Sequence, residues 1–283
     1  MQATLTFLGS GTSMGVPTLG CDCAVCVSAT PPSPDLPAPE PRNRRTRPSV
    51  LISWQGHNVV IDTGPDFHAQ AVREHIRRLD AVFYTHGHAD HVLGMDDLRP
   101  LSFQKAPFHD GSNTLPLYAD EPTAKTIERI FDYTFGADFP RYSTSARVTL
   151  HRIPATPGAE VVLFGAHFQR IPVSHGRHEI TGYRFGSAAY LTDLSDLPAE
   201  SLPLLADLDV LILDALRREP HPTHSHLAKS IGLVEQIKPR RAFFTHMSHD
   251  LDHAVTEAGL PPNIRLAYDG LKIDFEIGPD ESS

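Results

Sequence analysis

Between positions 86 and 91 the chain reads His86-Gly87-His88-Ala89-Asp90-His91, which places four cation-binding side chains within six residues. The cluster directly follows Ala81-Val82-Phe83-Tyr84, an apolar run of buried-strand type. At a strand end, His86 and His88 share a side, because side chains alternate with period two. They can chelate one cation together. If the chain turns into a helix near Asp90, then Asp90 and His91 project in a new direction and can hold a second cation. Two cations about 3.5–4 Å apart activate a water and clamp a phosphoryl oxygen. With 17 histidines in 283 residues, some clustering is expected by chance. A His-rich surface turn does not account for four ligand types straight after an apolar strand.

The pattern resembles the metallo-β-lactamase fold superfamily. That resemblance implies three more ligands from downstream strand ends: a His, a bridging Asp and a final His. The chain offers them in order as His175 after Ile171-Pro172-Val173-Ser174, Asp193 after Ala189-Tyr190-Leu191-Thr192, and His246 after Ala242-Phe243-Phe244-Thr245. Each closes a strand-like run. His178 competes with His175, and Asp196 or Asp214 with Asp193.

All three cysteines lie in Cys21-Asp22-Cys23-Ala24-Val25-Cys26, a CxCxxC motif. An odd count without a secretory signal argues against disulfides. A thiolate zinc site needs four ligands. The candidate for the fourth is His249, three residues past His246 and about one helical turn on. Three thiolates leave a divalent ion anionic overall and a poor Lewis acid, so this zinc reads as structural, pinning the N-terminal loop. A redox trio or three packed thiols are the alternatives.

CxCxxC, HxHxDH and the terminal His246-Met247-Ser248-His249 together resemble the PhnP-type phosphodiesterases, over Leu5 to about Ile273. Further marks are Arg45-Thr46-Arg47-Pro48-Ser49, Ile61-Asp62-Thr63-Gly64-Pro65-Asp66, His221-Pro222-Thr223-His224-Ser225-His226 and Tyr268-Asp269-Gly270. The resemblance implies opening of phosphoribosyl 1,2-cyclic phosphate by a metal-bridging hydroxide. It makes His86, His88 and His175 ligands of one metal and Asp90, His91 and His246 ligands of the other, with Asp193 between them. Cys21, Cys23, Cys26 and His249 match the family's zinc site. The implied cofactors are two divalent ions, zinc or manganese, plus one structural zinc. Asp193 and His224 take the catalytic roles, His224 handling the leaving-group proton.

The residues themselves leave His226 as a rival to His224, and either can instead cap a helix starting near Ser225. Arg177 and His178 are candidate contacts to a second phosphate or the sugar, or a solvated surface pair. Asp62 is expected to orient a ligand histidine. Asp96, Asp97 and Arg99 are expected to form a salt bridge near the site. The chain departs from the named enzymes in the polar Asp96-Asp97-Leu98-Arg99 edge and in a Pro-rich insertion over 30–43, read as a lid or a surface insertion. Competing functions are a tRNA 3′-processing nuclease, a thioester or lactone hydrolase, and a non-hydrolytic protein of the pyrroloquinoline quinone B type.

The elements that must position these residues are those of an α/β, four-layer αββα sandwich, expected as one domain over 1–283. Strands are expected at Thr4–Leu8, Ser49–Trp54, Asn58–Asp62 and Ala81–Tyr84, with helices at Asp66–Arg78 and Pro122–Tyr133. The second half is expected to open with strands Arg147–His151, Val161–Phe164, Phe168–Ile171, Gly182–Phe185 and Ala189–Leu191. Helices Pro198–Leu205 and Ser225–Ile237 then flank strand Val210–Leu213. Strand Ala242–Thr245, helix His249–Ala258 and strand Lys272–Glu276 complete the expectation.

A net charge of −9 argues against nucleic acid as a partner. Two divalent ions would still make the pocket locally cationic, which suits a small phosphate ester. Residues 1–8 read as a strand rather than a leader, and no apolar run reaches the roughly 18 residues that span a bilayer. The expectation is a cytoplasmic protein with no membrane contact; a homodimer is left open.

Overall fold

The computed structural model describes residues 1–30, 40–103, 107–108, 111–136 and 145–278. Two mixed sheets form among these. The first contains β1 (Gln2–Gly9), β2 (Ser49–Trp54), β3 (His57–Ile61), β4 (Ala81–Phe83), β5 (Leu115–Ala119) and β6 (Val148–Arg152). The second contains β7 (Glu160–Leu163), β8 (Ala166–His175), β9 (His178–Phe185), β10 (Ala188–Leu191), β11 (Val210–Asp214), β12 (Arg241–Thr245) and β13 (Ile264–Leu266). The last strand, β14 (Lys272–Glu276), returns to the first sheet beside β1. The strand orders are β14-β1-β2-β3-β4-β5-β6 and β13-β12-β11-β10-β9-β8-β7.

Each sheet changes from antiparallel to parallel part-way. The pairs β1–β2 and β2–β3 are antiparallel, whereas β3 to β6 run parallel. In the second sheet β7 to β10 are antiparallel and β10 to β13 parallel. Parallel neighbours need crossovers. Helices α2 (Phe67–Arg73), α4 (Glu121–Ile130), α6 (Leu227–Ile237) and α7 (His253–Glu257) lie in these connections. Shorter turns of helix are α1 (Ala24–Ser28), α3 (Ala89–Val92) and α5 (Asp132–Phe135).

Side-chain alternation builds the layers. Leu5, Phe7, Val50, Ile52, Val59, Ile61 and Phe83 point between the sheets and meet Phe168, Tyr183, Phe185, Tyr190 and Ile212. The alternate residues Leu8, Leu51, Val60 and Val82 pack outward with Phe67, Ala124 and Ile127. On the far side Leu211, Leu213, Ala242 and Phe244 pack with Leu233 and Val234 of α6. Strands buried on both faces read as near-continuous apolar runs, as these do. The result is the αββα sandwich.

Several elements differ from the expectation. The strand expected at Arg147–His151 to open the second half belongs to the first sheet, as β6, and β14 also returns there. The first sheet therefore draws on both halves of the sequence, and the second on the C-terminal half alone. β5 and β13 were not expected; Leu115-Pro116-Leu117 and Ile264-Arg265-Leu266 are short and carry Pro or Arg. The helix expected over Asp66–Arg78 stops at Arg73, with His75 at φ 55°. The one expected over Pro122–Tyr133 breaks at Phe131, which leaves the helical region at ψ 46°. Ala199–Leu205 is a 3₁₀ helix with Pro203 inside it. The last helix begins at His253, not His249. Of the Pro-rich 30–43 insertion, residues 31–39 lie outside the described residues; Pro41–Asn43 is a 3₁₀ turn capped by Glu40.

Candidate metal centre

Ligand-type side chains gather at the carboxyl ends of strands from both sheets. Parallel strands finish level with one another, so the residues just past them share a crevice. His86 lies just beyond β4, Asp193 beyond β10 and His246 beyond β12, while His175 closes β8. Asp62, Asp193 and His246 have φ of 65°, 57° and 55°. This left-handed backbone costs a non-glycine residue of order 1–3 kcal/mol and concentrates at functional sites.

Two groups of four ligand atoms result, beside a third of Asp214, His224 and His246. His86, His88, His175 and Asp193 form one, and Asp90, His91, Asp193 and His246 the other; within each group all atoms lie within 4.8 Å of one another. Asp193 belongs to both. Its Oδ2 lies 3.7 Å from His86 Nε2, and its Oδ1 lies 3.3 Å from both His91 Nε2 and His246 Nε2. One carboxylate thus faces two imidazole sets with different oxygens. All seven residues are buried except His88, which opens to the cleft.

The second ring nitrogens are engaged in ways that aim the first. His91 Nδ1 donates to Asp62 Oδ2 at 2.8 Å. Thr85 donates to the same carboxylate through its N–H and its hydroxyl, both at 2.8 Å. Burial pushes the Asp62 carboxyl up, and the charge and hydrogen bond of His91 pull against it. His175 Nδ1 lies 2.7 Å from the Asp193 carbonyl and 2.8 Å from that of Thr223. A carboxylate or carbonyl behind a histidine fixes its tautomer and leaves the other nitrogen free to coordinate. His246 differs, since its ring is held by stacking on His224 at 4.8 Å.

This donor set fits divalent cations. Buried His91 Nε2, His246 Nε2 and Asp90 Oδ2 have no hydrogen-bond partner. Asp90 Oδ2 faces those two nitrogens at 3.3 and 3.6 Å. Burial raises the Asp193 carboxyl, yet the imidazoles of His246, His91 and His86 around it hold it well below the usual range. Imidazole and carboxylate donors together suit zinc, manganese or iron.

The HxHxDH turn is held by close backbone packing. His88 is extended at ψ 155°, and α3 starts at the next residue. The Thr63 N–H donates to the His91 carbonyl, and the Gly94 N–H to the Thr63 carbonyl. A Cβ on Gly64 would sit 2.1 Å from the Asp90 carbonyl oxygen, so only glycine allows this approach.

The thiolate cluster lies nearby. His249 Nδ1 is 3.2, 3.5 and 3.4 Å from the Sγ atoms of Cys21, Cys23 and Cys26. Cys23 also caps α1, accepting from the Cys26 N–H. Burial raises the Cys26 thiol to about 11. At Cys23 burial is outweighed by the Cys26 amide and neighbouring thiol hydrogen bonds, which bring it to about 7.

A strap, not the helical turn expected between His246 and His249, connects the two sites. Met247 pairs with Gly11 as an isolated β-bridge. The Met247 N–H donates to the Ser10 carbonyl and the Thr12 N–H to the Met247 carbonyl. The buried Arg45 guanidinium donates to the carbonyls of Ser248 and Leu251, both at 2.7 Å. Half-buried Asp269 accepts from the N–H and hydroxyl groups of Ser10 and Thr46. Sequence reasoning missed Thr85, Arg45 and Asp269 as supports. Thr85 adjoins the HxHxDH motif, and the other two lie in motifs already noted.

The remaining candidates separate clearly. His224 Nδ1 lies 3.1 Å from Asp214 Oδ2 and lines the cleft, whereas His226 does not line it and stands at the N-cap of α6 with no side-chain capping bond. Burial and the charge of His246 bring the His224 imidazole down to about 4. Asp214 supports His224, and Asp196 pairs with Lys229 at 3.4 Å. Neither takes the place of Asp193. His178 sits across the hairpin from His175, exposed. Asp96 and Arg99 form the expected ion pair at 2.7 Å. The cleft holds about 920 Å³ and is lined by Ser13, His88, Asp90, His175, Gly176, Arg177, His178, Asp193, Pro222, Thr223, His224 and His246 among others.

The family described as "Beta-lactamase superfamily domain" matches residues 57–247, a span that runs from β3 to the last strand-end histidine. The chain belongs to the β-lactamase superfamily. Within it the chain is PhnP-like. A crystal structure described as a new diphosphatase from the PhnP family is 51% identical, with TM-score 0.86 and 99% of each chain covered. An octanoyltransferase from Porphyromonas gingivalis (strain ATCC BAA-308 / W83) is 34% identical over 268 residues, 94% of this chain. The chain spans 50% of that protein. The zinc-bound PqqB of Methylobacterium extorquens shares the fold at 20% identity, with TM-score 0.70, covering 96% of this chain and 100% of its own. No helix among the described residues is long and apolar enough to cross a membrane.

Proposed function

We propose that the chain, acting as one unit over 1–283, is a dinuclear metal-dependent hydrolase of phosphate diesters. Its proposed substrate is a small cyclic phosphate ester of the phosphoribosyl 1,2-cyclic phosphate type. The observation that carries the reading is the division of Asp193, with one carboxylate oxygen toward His86 and the other toward His91 and His246. Two divalent ions held there would supply an activated water and a clamp on a phosphoryl oxygen.

The chain's own residues do the rest. His86, His88 and His175 hold one ion and Asp90, His91 and His246 the other, with Asp193 shared. Asp62 fixes the His91 ring. His224, neutral beside Asp214, faces the cleft; an anionic substrate next to it favours its protonated form and readies it to protonate the leaving oxygen. Cys21, Cys23, Cys26 and His249 hold a structural zinc that keeps the Ser10–Thr12 loop against the strap carrying His246. The protein is proposed to work in the cytoplasm on small phosphate esters, without nucleic acid or a membrane; a homodimer remains compatible.

A second reading, cleavage of a diphosphate linkage, is favoured by the name of the 51% identical relative. Both need the same site. The non-hydrolytic alternative is disfavoured by the complete set of seven side chains. Metal analysis of the purified protein is expected to find about three ions per chain. Bis-p-nitrophenyl phosphate is expected to be hydrolysed and a thioester panel not. One ion per chain with no phosphodiester turnover would refute the proposal.

A further inference from the structure

We propose that Arg177 is the specificity-determining residue that binds the non-reacting phosphoryl group of a substrate carrying two. This rests on the phosphoester reading above and assigns the contact to that group. Strands β8 and β9 pair to their very ends, with His175 opposite His178. Only Gly176 and Arg177 remain to make the turn. Arg177 is therefore fixed two residues beyond a metal-ligand candidate, within about 7 Å of it along the chain.

The turn is rigidly placed. Gly176 has φ 60°, which glycine adopts without strain. Its N–H donates to Ser195 Oγ at 2.8 Å, and that hydroxyl donates to the Ser174 carbonyl at 3.0 Å. A Cβ on Gly176 would lie 2.9 Å from Thr223 Cγ2. The hairpin tip thus packs against the segment that presents His224, which puts Arg177 on the leaving-group side of the cleft.

The charge of Arg177 is uncommitted. Two acids are close in sequence or by pairing. Glu179 is bound by Arg170 Nη2 at 2.6 Å, and Asp196, which bridges to Ser174, pairs with Lys229. Among the described residues Arg177 has no hydrogen-bond or ion-pair partner, and it is the one Arg or Lys lining the cleft. His178 adds an exposed imidazole beside it. A guanidinium presents a planar fork of donors that matches phosphate oxygens two at a time. In a protein of net charge −9, an unpaired fork beside the metal ligands favours a polyanionic ligand over a neutral one.

The test uses the purified holoprotein and its Arg177→Met and Arg177→Lys variants. Calorimetry measures binding of methylenediphosphonate and of inorganic phosphate. The wild type is expected to prefer methylenediphosphonate, and Arg177→Met to lose about ten-fold or more of that preference, with Arg177→Lys in between. In turnover, kcat/KM for diadenosine diphosphate is expected to fall further in Arg177→Met than kcat/KM for bis-p-nitrophenyl phosphate. Equal losses for both members of each pair, or none, would overturn the assignment. Wild-type protein that hydrolyses neither ester would refute the phosphoester reading instead, and the binding comparison would still decide the role of Arg177.

Discussion

The two ligand clusters are built on opposite principles. The imidazole–carboxylate centre takes side chains from position 86 to 246, from four strand ends and the short helix α3, backed by the main core. The thiolate cluster takes three of its four groups from residues 21–26 and, among the described residues, packs with the small apolar cluster of Val16, Cys26 and Ala29, with Val25 against it. The first is positioned by the fold. The second would organise its own loop once a cation is bound, since six residues with so little buried surface cannot offset their ordering entropy alone. Cation removal is therefore expected to leave the sandwich standing in one case and to loosen the N-terminal loop in the other.

Breaking the shared ligand should have the largest effect. Asp193→Ala is expected to abolish turnover of bis-p-nitrophenyl phosphate and to remove about two of three ions per chain while the far-ultraviolet circular dichroism stays native. Full activity in that variant would end the dinuclear assignment. Cys26→Ser is expected to lose about one ion and to expose residues 10–30 to limited proteolysis. If the loop stays as protected as in the wild type, its order does not come from the thiolate site.

Asp62→Asn probes the support of a single imidazole. Loss of the carboxylate behind His91 is expected to weaken metal affinity or activity about 10–100-fold, read by metal titration. The smallest expected effect lies outside both centres. Burial lowers the His253 imidazole to about 4, and nearby Arg42 and Arg45 add to this against Glu257. Its unfolded-state value is about 6.5, so the unfolded chain binds the extra proton between these values. That contribution to stability is complete above about pH 6.5 and is lost as pH falls toward 4. His253→Asn is expected to flatten the fall in Tm over that window by a few degrees. An unchanged slope would show that other groups control acid stability.

The local motifs were legible because their chemistry is contiguous. HxHxDH and CxCxxC need only residue types and spacing, and the apolar runs before His86, His175, Asp193 and His246 marked strand ends directly. Elements that depend on distant partners were harder to read. β5 and β13 are short and contain Pro116 and Arg265, and only their neighbours in the sheets make them strands. The assignment of β6 to the first sheet is a matter of pairing, which a sequence of alternating residues does not encode. Arg45 and Asp269 look like ordinary charged residues until the chain folds over them.

The sequence by itself determined which side chains are able to bind cations and that they close apolar strands, because ligand chemistry and side-chain alternation are local properties. Tertiary structure alone decided how those ends meet. It divided Asp193 between two imidazole sets, placed Asp214 under His224, drew the His246–His249 strap across the N-terminal loop, and left Arg177 without an acid. Each of these depends on which strands lie side by side and on distances across the core, quantities set by packing many residues at once.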